Sequence, residues 1–215
     1  KVGDHQRFHV LLFGSRDRVS FAGGGAPASV DPLISGDGSG GVTIINHKLL
    51  ARWTYLPNET VSNKMTLAFG PDTNRLGFGA FNVDSTTYTL FFRDDLYLDL
   101  ESWLRVRGGL DGVLIFGNFG IDLPFSLDTT ELDPLGEPDA DSLRVQTIVA
   151  SPSPYIEADV ELGPVTLTPG LRADPYWIWD GASGERVYEA ISIDPRLSFR
   201  WQIHQKAAFK GSAGR

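Results

Sequence analysis

Five arginines, Arg105, Arg107, Arg172, Arg196 and Arg200, stand at alternate positions between apolar residues, with Asp111, Asp174 and Asp194 close by in sequence. Guanidinium groups spaced this way can pair with carboxylates and, lining a lumen, tune the field seen by a solute; on a water-exposed sheet the same residues are ordinary solvated charges. Two groups of oxygens suit a cation. Asp31 and Asp37 lie before and within the stretch GDGSGG, and Asp128, Glu131, Asp133, Glu137, Asp139 and Asp141 form a denser acidic segment. Calcium is the ion such oxygens favour, but neither spacing is that of an EF-hand, and the plain alternative is a solvated acidic loop. GDGSGG lacks the Lys-Ser/Thr of a phosphate loop and leads into a strand where such a loop leads into a helix. His5, His9, His47 and His204 are scattered without a metal-ligand spacing, and no serine sits in a nucleophile elbow. Neither catalysis nor a cofactor other than calcium is therefore expected.

Composition narrows the classes further. The 215 residues hold 24 Gly, 13 Phe and 5 Trp, and long Ala/Leu/Glu/Lys runs are nearly absent, which favours strands and turns. The formal net charge of -8 speaks against a nucleic-acid partner. Without cysteine, disulfides and thiolate chemistry are excluded. No apolar run reaches the roughly 18 residues of a transmembrane helix, yet a transmembrane β-strand needs only about 9–11.

The elements that must position these residues are strands. RFHVLLFGSRDRVSF is one strand with a glycine bend or two short strands joined at FGSRD. VTIINHKLLARWTYL, a PNET turn, VSNKMTLAFG, a PDTN turn and RLGFGAFNV follow, then STTYTLFFRDDLYLDL and its partner ESWLRVRGGLDGVLIFG. SLRVQTIVASPSPYIEADVEL, a turn at Gly163-Pro164, VTLTPGLRADPYWIWD, the connection GASGERVY, EAISIDPRLSFRWQI and a beginning KAAFKGSAGR complete roughly nine or ten strands. Long irregular segments at about 22–41 and 116–141 contrast with the short turns, so one rim is trim and the other elaborate. In ISIDPRLSFRWQI the set Ile191, Ile193, Pro195, Leu197, Phe199, Trp201 opposes Ser192, Asp194, Arg196, Ser198, Arg200. In water the apolar set must be a core; in an outer membrane it faces lipid while the polar set, including Asp194, lines a lumen. Trp53 and Tyr55 near one turn, and Tyr176, Trp177 and Trp179 at the far end of their strand, suit the headgroup level of a membrane.

The last third carries a resemblance. PYIEADVELGPVTLTPGLRAD followed by IDPRLSFRWQIHQKAAFKGSAGR is similar to the C-terminal part of the barrel of TonB-dependent outer-membrane receptors, best over residues 155–214. The resemblance implies an all-β, antiparallel transmembrane β-barrel wall in the outer membrane of a Gram-negative bacterium, taken from a barrel of about 22 strands. The chain has too few strands to close such a barrel and nothing resembling the plug domain, so residues 1–215 are expected to be an incomplete segment of wall. Implied partners are outer-membrane lipid, the remaining barrel strands and plug from the same or other chains, and a TonB-type energy-coupling protein if the plug exists. The implied role is uptake of a small ligand or surface assembly. A secreted all-β glycan- or ligand-binding module and a self-contained barrel of 8–10 strands are the alternatives.

Overall fold

The computed structural model describes residues 4–21, 40–78, 81–123 and 142–214. Nine strands and no helix are present among them: β1 (Gln6–Phe21), β2 (Gly40–Tyr55), β3 (Val61–Phe78), β4 (Phe81–Glu101), β5 (Leu104–Asp122), β6 (Ser142–Leu162), β7 (Val165–Asp180), β8 (Arg186–His204) and β9 (Ala207–Gly214). All are antiparallel and lie side by side in chain order in a single sheet. Among the described elements β1 contacts β2 alone and β9 contacts β8 alone, so the sheet is open. The self-contained small barrel is thereby corrected, because its first and last strands would have to pair. The secreted all-β module is corrected too: in water it would have to bury one face of the sheet as a core, and no described hydrophobic residue is buried.

Strands β1 to β8 run to between 16 and 21 residues. At about 3.3 Å per residue these are roughly 50–70 Å long, well beyond the ~9–11 residues a tilted strand needs to cross a bilayer. The trim rim carries the connections 56–60, 102–103, 163–164 and 205–206. Asn58 Oδ1 closes the first by accepting from the Thr60 amide (3.0 Å), the Thr60 hydroxyl (2.9 Å) and the Val61 amide (2.8 Å). Gly163 turns the third with φ of 62°, a left-handed conformation that glycine adopts without a steric penalty.

At the opposite rim the β7–β8 turn is built on Asp180. Its Oδ1 accepts from the Ala182 amide (3.0 Å), the Ser183 amide (2.7 Å) and the Ser183 hydroxyl (3.0 Å). These donors favour the carboxylate and hold Asp180 below the usual carboxylate range, the Ser183 amide first. A depressed folded pKa means that the bonds are intact above the unfolded value and are lost as pH falls through the folded one. Amide exchange at Ala182 and Ser183 is therefore expected to accelerate on acidification, relative to neighbouring strand amides; Asp180→Asn should flatten that acid response. An identical response in the variant would count against it.

Several local expectations change. FGSRD is no hairpin: β1 is continuous, with Gly14 opposite His47. PDTN is no turn either, since Asp72, Thr73 and Asn74 pair with Thr87, Thr86 and Ser85 of β4. Pro71 has no N–H to give, and the β2–β3 ladder lapses beside it, at His47 and Lys48. The Lys48 ammonium fills the break, donating to the Gly70 carbonyl (3.4 Å) and to the Asp72 carboxylate. β5 continues through Asp122, so residues 116–122 are strand and not loop. Cross-strand hydrogen bonding with β4 outweighs the local turn and loop signals at both PDTN and 116–122. β8 already begins at Arg186, within GERVY.

The register separates two faces. Val165, Leu167, Pro169 and Leu171 pair with Trp201, Phe199, Leu197 and Pro195 on one, and Thr166, Gly170 and Arg172 pair with Arg200, Arg196 and Asp194 on the other. The same division runs back across the sheet to β1.

A charged wall on one face of the sheet

The charged face is built from cross-strand rows. One row runs Asp95 (β4), Gly109 (β5), Tyr155 (β6), Arg172 (β7) and Asp194 (β8), each paired with the next. Gly109 leaves the space that this row uses. A Cβ there would lie 2.6 Å from the Tyr155 oxygen, and instead the Tyr155 ring crosses β5 and its hydroxyl donates to Asp95.

Asp95 and Ser153 are the buried polar residues among those described, at 5% and 4% exposure. Arg93 grips Asp95 in bidentate fashion, Nε to Oδ2 at 2.9 Å and Nη2 to Oδ1 at 3.1 Å, and its Nη1 lies 3.3 Å from Asp111 Oδ1. Arg172 donates to Asp111 Oδ2 and to Asp174 Oδ1, both at 2.7 Å. Arg107 donates to Glu157 and lies over the Tyr97 and Tyr155 rings at 5.8 and 6.0 Å. Nearer the trim rim Arg105 pairs with Asp99, and the Thr168 hydroxyl donates to Asp159 at 2.6 Å. Arg200 donates to Gln202 (2.9 Å), and Asp194 accepts from the Ser192 hydroxyl (2.9 Å). A hollow of about 220 Å³ lies among Arg93, Arg107, Asp111, Tyr155, Arg172 and Arg196.

All six residues expected to line a lumen, Arg105, Arg107, Arg172, Arg196, Arg200 and Asp194, share this face by register. The pairing of opposite charges across strands makes it a wetted, hydrogen-bonding wall rather than a strongly cationic surface. Arg107 Nε is buried and has no acceptor, one donor left over on this wall.

The opposite face is apolar over its central span. Ile191, Ile193 and Leu197 are 69%, 59% and 50% exposed, and left in water each forfeits half or more of the ~1.5–3 kcal/mol that full burial gives. A single sheet with one charged face and one long apolar face needs lipid or a second layer. No second layer is present among the described residues.

Solved structures share this arrangement. The chain superposes over 98% of its length on the FrpB iron transporter of Neisseria meningitidis (TM-score 0.66, 15% identity) and on BauA, the ferric preacinetobactin receptor of Acinetobacter baumannii (0.67, 11%). It superposes over 99% on the outer membrane transporter YddB of Escherichia coli (0.59, 9%). The fold is that of an outer-membrane β-barrel wall. The chain spans about a third of these structures, 34%, 37% and 32% of their lengths, in keeping with its open edges. The sequence matches no protein-family model and no curated protein. The likeness read in residues 155–214 thus extends, as a fold, across the whole wall.

The wall fixes the aromatic residues. Trp53 and Tyr55 lie on the lipid-facing side near the trim rim, where Trp53 stacks between Phe8 (6.1 Å) and Tyr55 (5.7 Å) and donates Nε1–H to Gln6 (3.3 Å). Trp177 and Trp179 lie on the same side toward the elaborate rim, 6.3 Å apart. Tyr176 does not join them. Its position falls in the set with Arg172 and Asp174, and its ring meets Tyr188 edge-on at 6.1 Å, so it is a lumenal residue; adjacent positions on a strand face opposite ways.

Sequence reading missed Arg93, Asp95 and Tyr155, and Asp111 as the common partner of Arg93 and Arg172. The signal was present in FRDDLYLDL, where Arg93, Asp95, Tyr97 and Asp99 alternate. Asp94 obscured it by standing in the apolar set, where Asn63 Nδ2 donates to it at 2.8 Å. Asp31, Asp37, Asp128, Glu131 and Asp133, with the neighbouring acids of the second segment, lie outside the described residues. Among the described residues no three His, Asp or Glu side chains gather as a metal site.

Proposed function

We propose that the chain is part of the barrel of a TonB-dependent outer-membrane receptor, which takes up a small polar ligand such as an iron chelate. The observation that supports it best is the cross-strand charged wall, with arginines and carboxylates paired over four strands, β4 to β7, set back to back with a face that is apolar over its central span. The transport roles printed for the similar structures agree with this reading, as does the similarity of residues 155–214 to that receptor family. The wall binds and orients but does no covalent chemistry in this scheme; its hydrogen-bonding groups face the solute path and the plug that remaining sequence would supply. A surface-assembly role uses the same wall without uptake.

Because the chain has no cysteine, single substitutions label uniquely. In intact cells permeabilised only at the outer surface, a membrane-impermeant maleimide should modify Ser198→Cys and spare its neighbour Leu197→Cys. Equal labelling of both would remove the barrel-wall reading. Uptake of a radiolabelled ferric chelate that persists undiminished when the energy-coupling protein is deleted would remove the transport reading alone.

A further inference from the structure

The lipid-facing side is not apolar throughout its height. Its rows change character in steps of two residues, about 7 Å along each strand. Leu12, Leu49, Phe69, Leu90 and Leu114 form one row, each paired with the next. Toward the elaborate rim comes Pro71, Tyr88, Phe116, Ile148 and Trp179, an aromatic row at the edge of the hydrocarbon. Next are Arg16, Ile45, Thr73, Thr86, Asn118 and Gln146, polar apart from Ile45 and charged at Arg16 alone. Above them a single row crosses six strands as Arg18, Thr43, Arg75, Asp84, Gly120 and Arg144.

That row divides in two. Arg144 is neutralised, donating to Asp84 and to Asp122, each at 2.7 Å. Gly120 makes this reach feasible: a Cβ there would lie 1.7 Å from Arg144 Nη1. Arg18 and Arg75 have no bonded partner among the described residues, and both are exposed. They stand two strands apart, about 10 Å between backbones, with Thr43 between them. A groove of about 650 Å³ joins Arg18, Thr43, Arg75, Thr86 and Arg144, and Asp84, which also lines it, is the carboxylate that Arg144 neutralises. An anion over Thr43 would meet two free guanidinium groups, a hydroxyl and flanking polar side chains.

We infer that Arg18 and Arg75 form a binding site for the phosphate headgroup of an outer-leaflet lipid, whose acyl chains lie on the apolar rows beneath. The lipid source is favoured over a soluble anion because one amphiphile matches both the guanidinium pair and the aromatic and aliphatic rows below it, in the right order along the strand. The site depends on the barrel wall standing in a membrane, as in the proposed function. Failure of that reading would show in the Leu197 and Ser198 labelling, which does not involve these arginines.

The test uses the polypeptide as the cell makes it, reconstituted into nanodiscs of phosphatidylcholine doped with phosphatidic acid, with retained lipid counted by native mass spectrometry. Wild type is expected to retain phosphatidic acid in preference to phosphatidylcholine. At about fivefold per cation near an anionic headgroup, Arg18→Ala/Arg75→Ala should reduce that preference by roughly 25-fold. Arg18→Lys/Arg75→Lys should keep most of it, and Arg7→Ala, on the other face, should keep all of it. The inference is overturned if the double alanine variant retains the wild-type preference, or if the lysine pair loses it as fully as the alanine pair. It is overturned as a lipid site if millimolar inorganic phosphate abolishes the preference, which would make this a soluble-anion site.

Discussion

Leu197→Arg is expected to lower the unfolding free energy of the membrane-inserted protein by about 2–4 kcal/mol, the cost of a cation on the lipid face near mid-bilayer. Leu197 stands between Phe199 and Pro195 on the apolar set of β8, half exposed and opposite Pro169. Its cross-strand partners, Pro169 and Ala213, offer it no carboxylate. Ser192→Arg, on the same strand but the other face, should change stability by less than about 1 kcal/mol, because Asp174 lies opposite and Asp194 is hydrogen-bonded to Ser192. Urea titration of protein folded into vesicles measures both. Equal losses would mean that the two faces of β8 see the same solvent, which no membrane-spanning wall allows.

Asp95→Ala should cost about 2–3 kcal/mol, the largest effect expected on the lumenal face. The substitution removes the acceptor for two Arg93 donors and for the Tyr155 hydroxyl at a position only 5% exposed, leaving the phenol without its acceptor and the guanidinium with Asp111 alone. The figure stays below that of a fully buried pair because the Arg93 side chain is 42% exposed and water can take over part of its charge. Asp95→Asn, which keeps an acceptor but not the charge, should lose about half as much. Asp99→Ala removes an ion pair whose members are 41% and 58% exposed, so its cost should stay within roughly 0.5 kcal/mol. If Asp99→Ala proved as damaging as Asp95→Ala, burial would not be what gives the Asp95 cluster its strength.

The two faces are legible in the sequence wherever period two is clean. In β7 and β8 every second residue is apolar over the central span, and a pleated strand converts that into opposite sides, so alternation by itself puts Arg172, Asp194, Arg196 and Arg200 on one face. β4 is harder. Asp94 breaks its apolar set and is tolerated because Asn63 of the neighbouring strand supplies a hydrogen bond, a partner that no local pattern announces. Tyr176 misleads for a related reason: proximity to Trp177 and Trp179 in sequence suggests one belt, but a one-residue step reverses the side chain.

The amino-acid order alone determined an all-β chain of long amphipathic strands, with one apolar and one charged face, because side-chain alternation is a property of each strand by itself. Only the tertiary structure decided that Asp95, Gly109, Tyr155, Arg172 and Asp194 form one row, and that Arg18 and Arg75 share another. Those groupings depend on register between strands separated by many residues. Register is set by the summed hydrogen bonds and side-chain matches of whole ladders, which also override single turn signals such as Pro71-Asp72.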